Sequence, residues 1–321
     1  MEIENHSQIH ISCSTRLKHR LAIIIPAYKI TFIERTIASI ANQTCRDFTL
    51  YIGNDCSNIE IGNIARKYAS QIDIVYQRFD TNLGGKDLVA QWRRCIDLSQ
   101  GEEWIWLFSD DDIMGERCVE LFFQMLKDSY FDIYHFDVKE IDEYGELTGL
   151  KSQYPDIVTS YYLYKRKMIG GLLSLVVENI FSRKVYENCN GFQSFDLAWG
   201  SDTATWVKFS KVTGMCTISG DFIYWRVSSE NITPTTNPEF VVRKERALLS
   251  FFQWSLFFFS NDIRWKIIAI NILAYIRRMK NLSCYLEEGI IDSSVNQFAK
   301  MHGVKHLANL LRFTIKLLSK K

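Results

Sequence analysis

The sequence predicts an α/β protein: a doubly wound, mostly parallel sheet with helices on both faces, followed by a helical C-terminal region. Three observations carry this prediction. Through residues 21–108, short apolar, β-branched runs alternate with segments of helical period, the pattern that builds a parallel sheet from βαβ units. Each run stops at a polar or aromatic segment, where such sheets bind ligands. From residue 237 the alternation gives way to long, aromatic-rich stretches of helical character.

Residues 21–25 form a continuous apolar run ended by Pro26, suited to a strand buried on both faces. Ile33, Ile37 and Ile40 lie at helical spacing and predict a helix over 33–42. A strand follows at 48–52, closed by Gly53-Asn54-Asp55-Cys56-Ser57, then a helix at 60–70 and a short strand at 74–77. A loop at 80–85 leads to a helix at 86–98 and a strong strand at 104–108. Beyond Ile113 the alternation weakens. A helix at 116–128, a strand at 132–138, a hairpin-like turn at 143–146, a helix at 168–177, a strand at 179–182, a helix at 202–213 and a last strand at 222–227 imply some antiparallel pairing.

Composition narrows the function classes. At 321 residues and 47% hydrophobic the chain has enough apolar content for a sizeable core. Its 38 Lys+Arg nearly cancel 37 Asp+Glu, so the long-range field of a nucleic-acid binder is missing and no nucleic-acid partner is expected. Eight cysteines without a C-x-x-C pair argue against zinc ribbons and disulfide frameworks, and for thiols in a reducing compartment. Residues 1–20 read as a loose polar leader without the apolar core of a signal peptide, so the expected location is the cytoplasm.

The chemistry centres on Ser109-Asp110-Asp111-Asp112, directly after the 104–108 strand. Three adjacent carboxylates repel unless a cation or strong donors neutralise them. A hard divalent ion, Mg²⁺ or Mn²⁺, needs only one or two carboxylates when a diphosphate and water supply its remaining oxygens. The plain alternative is a solvated acidic turn or helix start. Asp55, at an earlier strand end, would accept hydrogen bonds from a base or ribose, or else make an Asx turn. Tyr28 would stack on a base or serve as a half-buried wall. Lys86, after Gly84-Gly85, is placed to meet phosphate at a helix start or to sit solvated there.

Taken together, these segments resemble glycosyltransferase family 2, whose members have the GT-A fold. The match runs through residues 22–28 (AIIIPAY), residues 37–44 (IASIANQT) with Asp47-Phe48, Asn54-Asp55-Cys56-Ser57, Asn82-Leu83-Gly84 and the acidic run, in order and at the right spacing. The resemblance covers residues 21–227 and divides residues 21–236 into a nucleotide-sugar-binding half, 21–113, and an acceptor half, 114–236. It implies that Pro26, Tyr28 and Asp55 surround the nucleotide base, that Asp110 faces the donor, and that Asp111 ligates the metal with Asp112 as helper. It also implies that Asp202, at the start of a helix after Trp199-Gly200-Ser201, is the base, and that Arg226 approaches the diphosphate. Asn54 and Ser109 depart from the usual acidic residues at their positions.

The activity implied is inverting transfer of a sugar, with a UDP-sugar as the first guess, to a hydroxyl of a saccharide or lipid-linked saccharide in cell-surface polysaccharide synthesis. The alternative is a non-catalytic nucleotide-sugar-binding protein of the same fold. A nucleotidyltransferase or dehydrogenase would place a glycine-rich loop after the first strand, where Pro26-Ala27-Tyr28-Lys29 stands instead. Residues 247–259 carry no charge but are too short to span a membrane, so they are expected to pack on their own domain. The competing expectation is peripheral contact with the inner leaflet through Arg277, Arg278, Lys280 and the amphipathic tail, residues 306–321.

Overall fold

A computed structural model of the protein describes residues 9–10, 19–150, 152–229, 237–282 and 286–318. Most of the expected leader, residues 1–8 and 11–18, and the last three residues of the tail lie outside them. In chain order the elements are β1 (Ile9–His10), β2 (Leu21–Ala27), α1 (Ile33–Ala41), β3 (Phe48–Asn54), α2 (Glu60–Arg66), β4 (Asp73–Arg78), α3 (Leu88–Ile96), β5 (Trp104–Leu107), β6 (Ile113–Met114) and α4 (Cys118–Asp128). They continue with β7 (Ile133–Ile141), β8 (Leu147–Leu150), β9 (Ile157–Val158), α5 (Ser160–Ile169), β10 (Asn179–Ser182), α6 (Arg183–Asn188), α7 (Ser201–Phe209) and β11 (Met215–Arg226). Four helices close the chain: α8 (Pro238–Phe258), α9 (Arg264–Leu282), α10 (Glu288–His302) and α11 (Leu307–Leu318).

The chain divides into two compact units, the first comprising Met1–Leu163, Leu172–Phe192 and Thr205–Ser229, the second Tyr164–Gly171, Gln193–Ala204 and Glu230–Lys321. Among the described residues the first unit holds one sheet in the order β1-β4-β3-β2-β5-β10-β7-β11-β6, with β8 on β7 and β9 on β11. The pairs β4-β3, β3-β2 and β2-β5 are parallel, whereas β10 runs antiparallel to both β5 and β7. The chain leaves β2 for β3 on one side and returns to β5 on the other. The carboxyl ends of β2 and β5 therefore flank the point where strand order reverses, which is where open α/β sheets hold ligands.

The expected strand runs are present, with 104–108 shortened to β5 and the last one lengthened to β11. The helix expected at 168–177 lies earlier, as α5; its tyrosine- and lysine-rich segment carries no clear apolar stripe from which to read it. Strands β6 and β9 are two residues each and exist only through pairing with β11. The largely aliphatic core of the first unit carries an aromatic cluster: the rings of Trp106 and Phe136 stack at 5.6 Å, and Trp104, Phe122 and Tyr134 meet edge to face at 5.3–5.6 Å.

The opposite face of β7 buries a polar group. His135 on β7 is fully buried, lies 3.9 Å from the Tyr154 ring, and has no hydrogen-bond partner for either ring nitrogen among the described residues. Burial pushes its pKa down from 6.5 to about 3. Between those two values the unfolded chain binds a proton that the folded chain refuses. The stability His135 permits is complete above about 6.5 and declines as pH falls, by about 2 kcal/mol at pH 5. Urea unfolding of wild type and His135→Phe at pH 7 and pH 5 should show the difference between them shift by that amount in favour of Phe. An unchanged difference would refute the assignment.

In the second unit the uncharged stretch packs inward, as expected of a core segment: Phe251, Phe252, Leu256 and Phe259 are buried. Tyr275 stacks on Phe298 at 4.1 Å, and the Tyr164 ring meets Phe251 at 5.8 Å. Phe257, Trp265 and Phe313 remain exposed. Arg278, expected beside Arg277 and Lys280 at a lipid surface, instead turns its guanidinium to the Trp199 ring at 5.0 Å, where burial lowers its pKa. Among the described residues no helix is long and apolar enough to cross a membrane.

Candidate active site

The acidic run leaves β5 at the strand-order reversal, and its backbone is braced from several elements. Phe108 N–H donates to Ile24 O at 2.8 Å, Thr36 Oγ1 on α1 to Asp112 O at 2.8 Å, and Arg226 Nε to Asp111 O at 2.8 Å. The three carboxylates, alike in sequence, then separate by what they hold.

Asp110 Oδ2 accepts the backbone N–H groups of Tyr28 and Lys29, both at 2.7 Å, and so ties the end of β2 to the turn. Burial, and then the neighbouring Asp111 charge, push the Asp110 carboxyl up to about 6. Asp112 accepts Ser109 Oγ at 2.6 Å on one oxygen and Arg226 N–H at 2.7 Å on the other, tying β11 to the turn. Burial, followed by the Asp111 charge, pushes its pKa up as well. Asp111 is different. Its carboxylate meets a side-chain cation: Lys29 Nζ donates to Asp111 Oδ2 and lies 4.0 Å from Asp110 Oδ1. Burial alone would lower the Lys29 pKa, but Asp111 and Asp110 outweigh it and the net shift is upward.

Several residues are engaged differently from expectation. Asp112, expected to help with the metal, is 2% exposed with both oxygens committed to the fold. Asp110, expected to face the donor, clamps β2 through one oxygen and keeps Oδ1 toward Lys29. Arg226, expected at the diphosphate, is 1% exposed, donates Nη1 to Asp142 O and Glu143 O at 2.8 and 3.2 Å, and packs its guanidinium 4.6 Å from the Phe32 ring. It braces the turn. Asp55, expected to reach base or ribose, accepts Leu83 N–H and Gly84 N–H at 2.7 Å each and Arg94 Nη2 at 2.6 Å. A carboxylate has about four acceptor positions, so one is left, on a side chain that is 5% exposed. A Cβ on Gly84 would fall 2.7 Å from Asp55 Oδ2, which is why that loop position is glycine.

The other residues expected at the donor are placed as follows. Tyr28 is 55% exposed at the end of β2, with Ser57 Oγ donating to its carbonyl. Pro26 lies in β2 opposite Gly53 of β3. Lys86 is exposed, two residues before α3, whose N-cap is Asp87 accepting Ala90 N–H at 2.9 Å. Both unusual residues have structural duties: Asn54 donates to Asn58 O and Tyr76 Oη at 2.9 Å each and accepts Ser57 N–H, and Ser109 bonds Asp112. Lys29 and Arg94 went unread in the sequence, although a lysine directly after a strand end at a ligand crevice was visible.

Asp202 belongs to the second unit, in the first turn of α7. Burial raises its pKa, against the opposing charge of Lys167 and a 2.6 Å hydrogen bond from Thr203 N–H. The approach to it is conformationally unusual: Leu197, Ala198 and Gly200 have φ of 57°, 54° and 82°. Such left-handed residues, two of them not glycine, persist only where surroundings enforce them, and they cluster at functional loops.

The glycosyl transferase family 2 model matches residues 22–187, more than half of the chain, including Tyr28, Lys29, Asp55 and the acidic run. The chain belongs to that family. An uncharacterized glycosyltransferase of Rickettsia bellii (strain RML369-C) is 23% identical over 224 residues, 67% of this chain but 30% of that protein, so the chain spans under a third of its relative. Among solved structures, S. aureus TarS 1-349 in complex with UDP-GlcNAc superposes with a TM-score of 0.63 at 14% identity, covering 94% of this chain and 88% of that one. The mannosyltransferase PcManGT from Pyrobaculum calidifontis, in complex with GDP-Man and Mn²⁺, gives 0.50 at 12% identity, covering 94% and 86%. This chain therefore shares the GT-A architecture of its family, with a mostly parallel central sheet and a C-terminal helical region.

Proposed function

We propose that the protein transfers a sugar from a nucleoside diphosphate donor, a UDP-sugar in the first instance, to a hydroxyl of a saccharide or lipid-linked saccharide with inversion at the anomeric carbon. The observation that carries this is Asp111, the one carboxylate of the run directed at a side-chain cation rather than at backbone amides, placed where the strand order reverses. Two neighbours in fold support the donor class, one bound to UDP-GlcNAc and one to GDP-Man with Mn²⁺.

The donor set fits a divalent ion. Asp111 and Asp110 Oδ1 are hard oxygen ligands that already hold an ammonium between them. Among the described residues no group of three or more His, Cys, Asp or Glu is gathered for a metal, so the protein would contribute Asp111, with phosphate oxygens and water completing the shell. Bound there, Mg²⁺ or Mn²⁺ supplies charge stabilisation for the departing diphosphate.

This chain's own residues do the rest. Tyr28 offers an exposed ring to the base, and the Asp55 position left open accepts one hydrogen bond. Asp202 takes the proton of the acceptor hydroxyl, a role favoured by its raised pKa. The non-catalytic reading rested on Asn54 and Ser109, whose hydrogen bonds give both residues a structural reason of their own. We also propose a cytoplasmic location and a role in cell-surface polysaccharide synthesis, with any peripheral contact at the inner leaflet left to Arg277, Lys280 and the tail, since Arg278 faces Trp199.

A panel of UDP-, GDP- and dTDP-sugars tests it. At least one should raise the melting temperature with Mn²⁺ present and release its nucleoside diphosphate, and loss of both effects on chelation is expected. No shift and no release across the panel would overturn the reading.

A further inference from the structure

Resting on that reading, we propose that Lys29 is an internal counter-cation for the metal carboxylate: it occupies Asp111 in the donor-free protein and yields that place only when divalent ion and diphosphate arrive together. The ion is thereby kept off the free protein and coupled to the donor.

The geometry supplies both halves of this device. The Lys29 backbone is fixed, its N–H held by Asp110 Oδ2 at 2.7 Å, while its ammonium bonds Asp111 Oδ2 and lies 4.0 Å from Asp110 Oδ1. The side chain is 22% exposed against 9% for Asp111, so the lysine has solvent access that the carboxylate largely lacks. Its stem has four rotatable bonds, so the charge can swing without moving the strand end. A divalent ion approaching Asp111 alone must break this ion pair and leave two cations adjacent. A diphosphate brings negative oxygens for both, so displacement of Lys29 becomes favourable and its ammonium gains phosphate as partner. By linkage, ion and nucleotide then strengthen each other's binding by the same factor.

The experiment is a Mn²⁺ titration followed by electron paramagnetic resonance of the free ion, without and with UDP, on the 321-residue chain as wild type, Lys29→Met, Lys29→Arg and Asp111→Asn, each checked for folding by circular dichroism. Wild type should bind Mn²⁺ weakly alone and about tenfold or more tightly with UDP. Lys29→Met should bind Mn²⁺ alone about tenfold more tightly than wild type and lose most of the UDP enhancement, whereas Lys29→Arg, still a cation, should stay weak. Asp111→Asn should bind no Mn²⁺ in either condition. Equal Mn²⁺ affinity of wild type with and without UDP overturns the inference even if Lys29→Met fails to fold. So does unchanged Mn²⁺ affinity in Lys29→Met, with the metal reading left standing. No Mn²⁺ binding to wild type even with UDP removes the metal reading and this inference together.

Discussion

Asp111→Asn should lower sugar transfer on the order of 10³-fold, about 4 kcal/mol of transition-state stabilisation, in a protein whose melting temperature is close to wild type. The two halves of that expectation have separate causes. Activity falls because an amide carries no charge to hold a divalent ion or oppose the leaving diphosphate. The fold survives because the carboxylate bonds the Lys29 ammonium, a partly exposed side chain that can turn to water. The neighbouring substitutions should behave in the opposite order. Asp112→Ala removes the carboxylate that accepts Arg226 N–H and the Ser109 hydroxyl in a buried turn, so a loss of about 2–4 kcal/mol of stability is expected to dominate. Nucleotide release measured beside thermal melts for both variants separates the roles. Near-wild-type turnover in Asp111→Asn would remove Asp111 from the mechanism.

That contrast marks how far the sequence could be read. The parallel half was legible because each strand is a local apolar run and each ligand-facing segment ends one, so order and spacing survive in one dimension. The acidic run was legible as a place at the end of β5. The division of labour within it was not. It is decided by amides from residues 28, 29 and 226, which only sheet pairing brings to the turn. Arg226 misled for the same reason: an arginine after a strand suits a phosphate, but Phe32 and the carbonyls of Asp142 and Glu143 surround it once β7 and β11 pair. Asp55 was placed correctly at a strand end, yet the loop it pins returns from residues 83 and 84.

Asp202→Asn is the second change expected to act strongly, and through a different step. Without a proton acceptor, transfer to the acceptor hydroxyl should fall by about 10²–10⁴-fold. Binding of UDP and Mn²⁺ should persist, because the residues that hold them lie elsewhere in the sequence. Stability provides an independent check on the residue's environment. The folded-state pKa of Asp202 is raised above 3.8, so the acid form is favoured by folding below the unfolded value and that advantage is lost as pH rises through the folded one. An uncharged amide is free of this dependence. Asp202→Asn should therefore be as stable as wild type or more so at pH 7, with the gap narrowing toward pH 4. In wild type the acid limb of the rate profile should stand above the ordinary aspartate range and should vanish in the variant's residual activity. A variant that transfers sugar at the wild-type rate, or whose loss is matched by loss of UDP binding, would show that Asp202 is not the base.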